Sequence, residues 1–120
     1  MKEQFQARMV RIHFGESDNW QGKPLHAAII AKCEELGMAD AIVYRGIEGY
    51  GTSTRIRRAS PWTFSKDAPM MISVVDTDEQ IGKLLPHLDT MVAEGLIAIS
   101  RVEVIRYSRG PGTDAEPARE

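Results

Sequence analysis

The apolar residues of this chain change period as they run, and the order of those changes leaves few folds open. Over 8–14, Arg-Met-Val-Arg-Ile-His-Phe, Val10, Ile12 and Phe14 share one side while Arg11 and His13 share the other, the period of a strand. Leu25, Ala28, Ile29, Cys33 and Leu36 then form a stripe at helical spacing, with Pro24 suited to the first turn and Gly37 to the stop. The apolar runs 41–47 and 70–76 predict a second and a third strand. Ile81, Leu84, Leu85, Leu88, Met91 and Val92 make the best amphipathic stripe in the chain. Thr77-Asp-Glu-Gln80 opens it as a capping box in which Gln80 reaches back, and Gly95 closes it. Pro86 lies inside that stripe, so it either kinks the helix or marks its effective start. A fourth strand follows over 97–107.

This order is β-α-β-β-α-β, the split βαβ arrangement of the ferredoxin-like α+β fold, an antiparallel sheet with both helices on one face. The second and third strands are apolar on both sides: Ala41 and Val43 against Ile42 and Tyr44, then Met-Met-Ile-Ser-Val-Val. A sheet apolar on both faces needs cover on both. Two helices cover only one, so we expect the other face to be buried against further copies of the chain.

Between the second and third strands, residues 48–69 form a long loop in this reading, and a connection of that length inside one domain is usually functional. It opens with Arg45-Gly-Ile-Glu-Gly-Tyr-Gly51 and continues Thr-Ser-Thr-Arg-Ile-Arg-Arg58. Gly46, Gly49 and Gly51 allow positive φ and let backbone N–H groups form an anion-holding concavity. Arg45 or Arg55 would supply bidentate phosphate contacts. The competing reading is that the glycines serve turn geometry and the arginines face solvent. Glu48, the single acid among four arginines over 45–58, would bind a ribose hydroxyl or base amine, or else pair with Arg45 or Arg55. His13 and Glu16, at the end of the first strand, could join the same ligand site.

Rival chemistries are weaker. Net charge is −2, so the surface as a whole has no electrostatic claim on nucleic acid. An RNA-binding sheet would also need a stacking aromatic motif in the middle of the sheet, where these strands offer aliphatics. His13, His26, His87 and Cys33 have no metal-ligand spacing, so no metal site is expected. Cys33 lies on an apolar stripe and reads as packing rather than as a nucleophile. A small oligomeric enzyme using His13 and Glu16 in a cleft is the alternative from another class. Trp20 reads as cover for the core rim, whereas Trp62, beside Pro61 and Phe64, suits partner docking together with Arg57 and Arg58. No apolar run reaches membrane-spanning length and the single cysteine fits a reducing compartment, so a cytoplasmic protein is expected. The domain is expected to cover 1–107, with 108–120 a disordered tail.

Several strings resemble the domain-of-unknown-function 190 family, a branch of the PII-like signalling proteins. They are Phe14-Gly-Glu-Ser-Asp18, Gly22-Lys-Pro-Leu25, Tyr44-Arg-Gly-Ile-Glu-Gly-Tyr-Gly51, Asp67-Ala-Pro69 and Val75-Asp76, so the resemblance spans about 7–107. It implies a homotrimer with ligand sites between neighbours, where the PII proteins hold adenine nucleotides at the base of the loop after strand two, the T-loop. Gly49-Tyr-Gly51 is similar to the Gly-Phe-Gly that opens that loop. The departures are the continuation Thr-Ser-Thr-Arg, the missing tyrosine at the loop tip, and Glu94-Gly-Leu96 in place of a Gly-rich stretch ending in lysine. They make a smaller nucleotide such as AMP easier to accommodate than ATP, as an effector rather than a required cofactor. The resemblance also implies a partner protein that reads the loop, conceivably a membrane transporter or channel.

Overall fold

The computed structural model describes residues 1–50, 56–58 (backbone only) and 67–109. Eight strands and two helices follow in the order β1 (Lys2–Gly15), β2 (Asn19–Trp20), β3 (Lys23–Pro24), α1 (Leu25–Leu36), β4 (Asp40–Arg45), β5 (Glu48–Tyr50), β6 (Ile56–Arg58), β7 (Pro69–Asp76), α2 (Asp78–Met91) and β8 (Leu96–Tyr107). The main sheet is antiparallel with order β4-β7-β1-β8, which is the ferredoxin-like arrangement the periodicity predicts. Val10, Ile12, Ile72 and Val74 from the two central strands meet Ile29, Ile81, Leu84 and Leu88 from the helices, and all eight are fully buried.

The boundaries differ from expectation where periodicity carries no signal. β1 starts at Lys2, six residues before the alternating segment. Residues 2–7 pair with β8 alone, held by Arg106 donating to Glu3, Gln4 donating to Glu103, and Arg106 lying over the Phe5 ring. Pro24 stands just outside α1 with extended ψ rather than in its first turn, and Leu25 N–H donates to the Asp18 carbonyl. The polar turn before α1 contains a small hairpin, β2 to β3, turning on Gln21 and Gly22, both at positive φ as a tight two-residue turn requires. Trp20 packs against the core from there, as expected.

Gly37 adopts the left-handed conformation at φ 73 and stops α1. Thr77 caps α2 by accepting from Gln80 N–H. The Gln80 side chain does not reach back, however: its amide donates to the Leu36 and Gly37 carbonyls, tying α2 to the end of α1. Pro86 lies within a helix that begins eight residues earlier, so it does not mark the start. α2 ends at Met91, before Gly95. The φ of 154 at Gly95 reflects a close approach instead, since a Cβ there would lie 2.2 Å from the His13 carbonyl oxygen. Cys33 is buried against the sheet, and desolvation pushes its thiol up to about 11.

Buried Asp76 joins two connections, accepting from Ala39 N–H at 2.8 Å and from Thr77 N–H at 2.7 Å. The face of the sheet away from the helices is covered by no element among the described residues. It presents Ile42, Tyr44 and Leu96, each more than 40% exposed, beside half-buried Met9, Met71 and Val75. No described helix is long and apolar enough to cross a membrane.

Candidate functional site

Three strand ends converge where the 48–69 connection leaves the sheet: the end of β1 with Glu16 and Ser17, the end of β4 with Arg45 and Gly46, and the start of β7 with Asp67, Ala68 and Pro69. The antiparallel ladders bring them together. β1 and β7 remain paired to Gly15 and Pro69, and β4 and β7 to Arg45 and Met70. Backbone bonds carry each ladder one step further, from Glu16 N–H to the Ala68 carbonyl at 2.9 Å and from Gly46 N–H to the Pro69 carbonyl at 2.7 Å.

Side chains then close the junction. Arg45 donates through Nε and Nη2 to the two carboxylate oxygens of Glu16, both at 3.0 Å. The same carboxylate accepts from Ala68 N–H at 3.3 Å. Ser17 Oγ donates to Asp67 at 2.8 Å, and Asp18 accepts from Gly15 N–H at 3.0 Å. The hydrogen bond to Glu16 raises the Arg45 pKa further above its ordinary value, so the guanidinium is a permanent cation. The fork that was expected to receive a phosphate is thus already matched to a carboxylate of its own chain.

Gly46 and Gly49 differ in conformation from the expectation of positive φ. Neither Gly46 nor Gly49 takes positive φ. Instead both pack on Pro69: a Cβ on Gly46 would lie 2.9 Å from its Cγ, and one on Gly49 would lie 3.1 Å from its Cβ. Their lack of a side chain lets the backbone pass close over the proline ring. The connection is also not all loop, since Glu48–Tyr50 pairs with Ile56–Arg58 as a two-stranded ladder with Glu48 opposite Arg58. Short strands of three residues, one interrupted by glycine, leave little periodic signal.

Among the other expected site residues, His13 lies on the uncovered face of the sheet, opposite Met71 and Leu96. Glu48 is solvent-exposed. Gly51, Arg55 and Trp62 lie outside the described residues, as do 110–120 of the tail, and Arg57 and Arg58 are described only as backbone of β6. Sequence reasoning missed the Ser17–Asp67 bond and the role of Pro69, although the string Asp67-Ala-Pro69 carries part of the family resemblance. It also missed Ile47 and Tyr50, which flank the loop base and are 83% and 72% exposed.

A family model described as DUF190, Uncharacterized ACR, matches residues 7–104. The UPF0166 protein of Aquifex aeolicus (strain VF5) is 30% identical over 98 residues, covering 82% of this chain and 92% of that protein. CPII of Thiomonas intermedia K12, solved bound to ADP and bicarbonate, is 15% identical and superposes with a TM-score of 0.63 over 85% of this chain and 91% of that one. A second structure of CPII, described as a nitrogen regulatory PII-like protein and bound to ADP, AMP and bicarbonate, gives 0.61 at 15% identity over the same shares. At this identity the likeness shows a shared PII-like fold.

Proposed function

The chain belongs to the DUF190 family, and from that premise we propose that it is a non-enzymatic, PII-like homotrimeric sensor of a small anionic metabolite, an AMP-class adenine nucleotide, bound at the loop base between copies. The observation that carries the reading is the convergence of three strand ends on a permanent cation, Arg45, at the root of the 48–69 connection. CPII, which shares the fold, holds ADP, AMP and bicarbonate. In this reading Arg45, Gly46, Glu48, Gly49, Gly51 and Arg55 surround the ligand with His13 and Glu16 nearby. Occupancy is passed through the connection to a partner that meets Arg57, Arg58 and Trp62. A cytoplasmic setting and a transporter or channel as partner belong to the same proposal.

Binding is favoured over catalysis because Glu16 is committed to Arg45 and to a backbone N–H, which suits a structural clamp better than a proton-transfer group. The uncovered apolar face supports assembly of copies. A thermal-shift series with AMP, ADP, ATP and bicarbonate tests the reading, because a ligand of the native state stabilises it by RT ln(1 + [L]/Kd). A rise with AMP or ADP is expected. No rise with any nucleotide at millimolar concentration overturns the adenine assignment, and a monomer by light scattering overturns the site between copies.

A further inference from the structure

β1 is longer than the strand beside it. β7 stops at Asp76, opposite Arg8, so residues 2–7 of β1 have β8 on one side and, among the described residues, no strand in the β7 position on the other. Strand parity says which groups are left unmet there. Met1 exchanges backbone bonds with Ser108 across the β8 side, while Glu16 N–H bonds to Ala68 across the β7 side. Both registers run without a bulge, so odd residues of β1 point to β8 and even ones toward β7. The N–H and C=O groups of Gln4 and Gln6 therefore open into the space past Asp76. That space is a groove of about 520 Å³ whose lining includes Gln4, Phe5, Gln6, Asp76 and Thr77.

The chain carries a strand that fits it. Gly46 N–H bonds to Pro69, so even residues of β4 point to β7 and the odd ones, Ala41, Val43 and Arg45, point outward from the sheet. β4 spans six residues, as does the overhang 2–7. An exposed edge is normally blunted by charge. β8, the opposite edge, has Arg101 and Glu103 among its outward positions, whereas β4 reads Ala-Ile-Val-Tyr between its terminal charges.

We infer that β4 of one copy adds as a strand to the β1 overhang of the next, with Gln4 and Gln6 bonded to outward residues of β4. Antiparallel pairing puts even residues of β1 opposite odd residues of β4, and both sets carry their side chains on the helix side. Half-buried Phe5 then continues the apolar open face of Ile42 and Tyr44. Each contact joins two different edges, so it is heterologous rather than two-fold, and in the homotrimer proposed above three such contacts close the ring. It also brings the Arg45 end of β4 to the ribbon tip of the neighbour, so that Lys2 of the neighbouring copy lies beside the loop base.

The inference rests on the assembly proposed above and adds how it is made. Hydrogen exchange on the wild-type protein tests it directly. Amides of Gln4, Gln6, Ala41 and Val43 have no strand partner in one copy, yet in the assembly they should exchange more than about 100-fold slower than open amides. Gln6→Pro removes one bonding N–H on the open side, and its assembled mass should fall toward that of one copy with the circular dichroism of the fold retained. Fast exchange at these four amides in an assembled protein overturns the inference, as does an unchanged mass for folded Gln6→Pro. If that variant does not fold, the exchange data on the wild type decide alone. An assembly with fast-exchanging edges leaves the nucleotide proposal standing; protected edges without any nucleotide shift do the reverse.

Discussion

The two faces of the main sheet differ in kind, although the same four strands supply both. Toward the helices, Val10 and Ile12 of β1 and Ile72 and Val74 of β7 are buried to completion and pack against two amphipathic stripes. On the other side, Tyr44 and Ile42 stand nearly half exposed in a setting of half-buried methionine and valine. The difference teaches that composition alone does not define a core. Apolar strands acquire one only where another layer covers them, so the covered face reports the fold of one chain and the bare face is where the proposed association would bury apolar surface.

Adjacent residues of β7 offer the sharpest way to break that comparison. Ile72 faces the helices at 0% exposure, and Met71 faces the open side. Ile72→Ala should cost about 2–5 kcal/mol in chemical denaturation, independent of protein concentration. Met71→Ala should cost less in dilute protein and more as concentration rises, because in the proposed assembly its cover comes from other copies. Equal, concentration-independent losses would mean that the open face needs no partner.

A pH series examines the covered side again. The Cys33 thiol is neutral in the fold, with its pKa raised from 9.0 to about 11 by burial. Its contribution is therefore complete below about pH 9, where the unfolded chain also keeps the proton. It is lost as pH rises from about 9 through about 11. The full loss amounts to about 2–3 kcal/mol. Cys33→Ala should start less stable and show a flatter alkaline limb; an identical limb would assign the loss to other groups.

The same contrast explains what the sequence made legible. Element order, the stripe through Leu25, Ala28, Ile29 and Cys33, and the Thr77 cap are local patterns of 2 or 3.6 residues, and they stand in the structure as read. The β1 overhang was invisible because cross-strand pairs such as Glu3 with Arg106 hold it, and those join residues 103 positions apart. At the loop base a contact between distant residues lay beyond what local pattern can show. Arg45 and Glu16 were both singled out as ligand contacts, yet nothing in their 29-residue separation could show that they bind each other. The local sequence suggests positive φ and an anion-holding concavity for Gly46 and Gly49, and nothing local could show that both pack on Pro69, 23 residues beyond Gly46 in the chain.

Gly46 gives a smaller, local test. An alanine Cβ would meet the stiff Pro69 ring at 2.9 Å and its carbonyl oxygen at 3.2 Å, so Gly46→Ala should cost about 1–3 kcal/mol. Adding Pro69→Ala should recover part of that loss, because the two residues touch and their effects should not add. Purely additive losses would show that Gly46 is needed for backbone freedom instead.

The smallest expected stability change belongs to the Arg45–Glu16 pair, and it separates architecture from function at the loop base. The Arg45 side chain is 45% exposed, and solvent-exposed ion pairs typically contribute about 0–1 kcal/mol. Arg45→Ala should therefore leave the melting temperature without ligand nearly unchanged, while reducing the shift produced by AMP or ADP. Glu16→Gln gives the complementary arm. It keeps an acceptor for Ala68 N–H and releases the guanidinium from its carboxylate. If Glu16 holds Arg45 in place for the ligand, the nucleotide shift falls in this variant as well. If Glu16 instead competes with the phosphate for the same fork, the shift grows. A nucleotide shift untouched by both substitutions would move the anion away from this corner, leaving Arg45 and Glu16 as a bolt between β1 and β4 that secures the root of the connection.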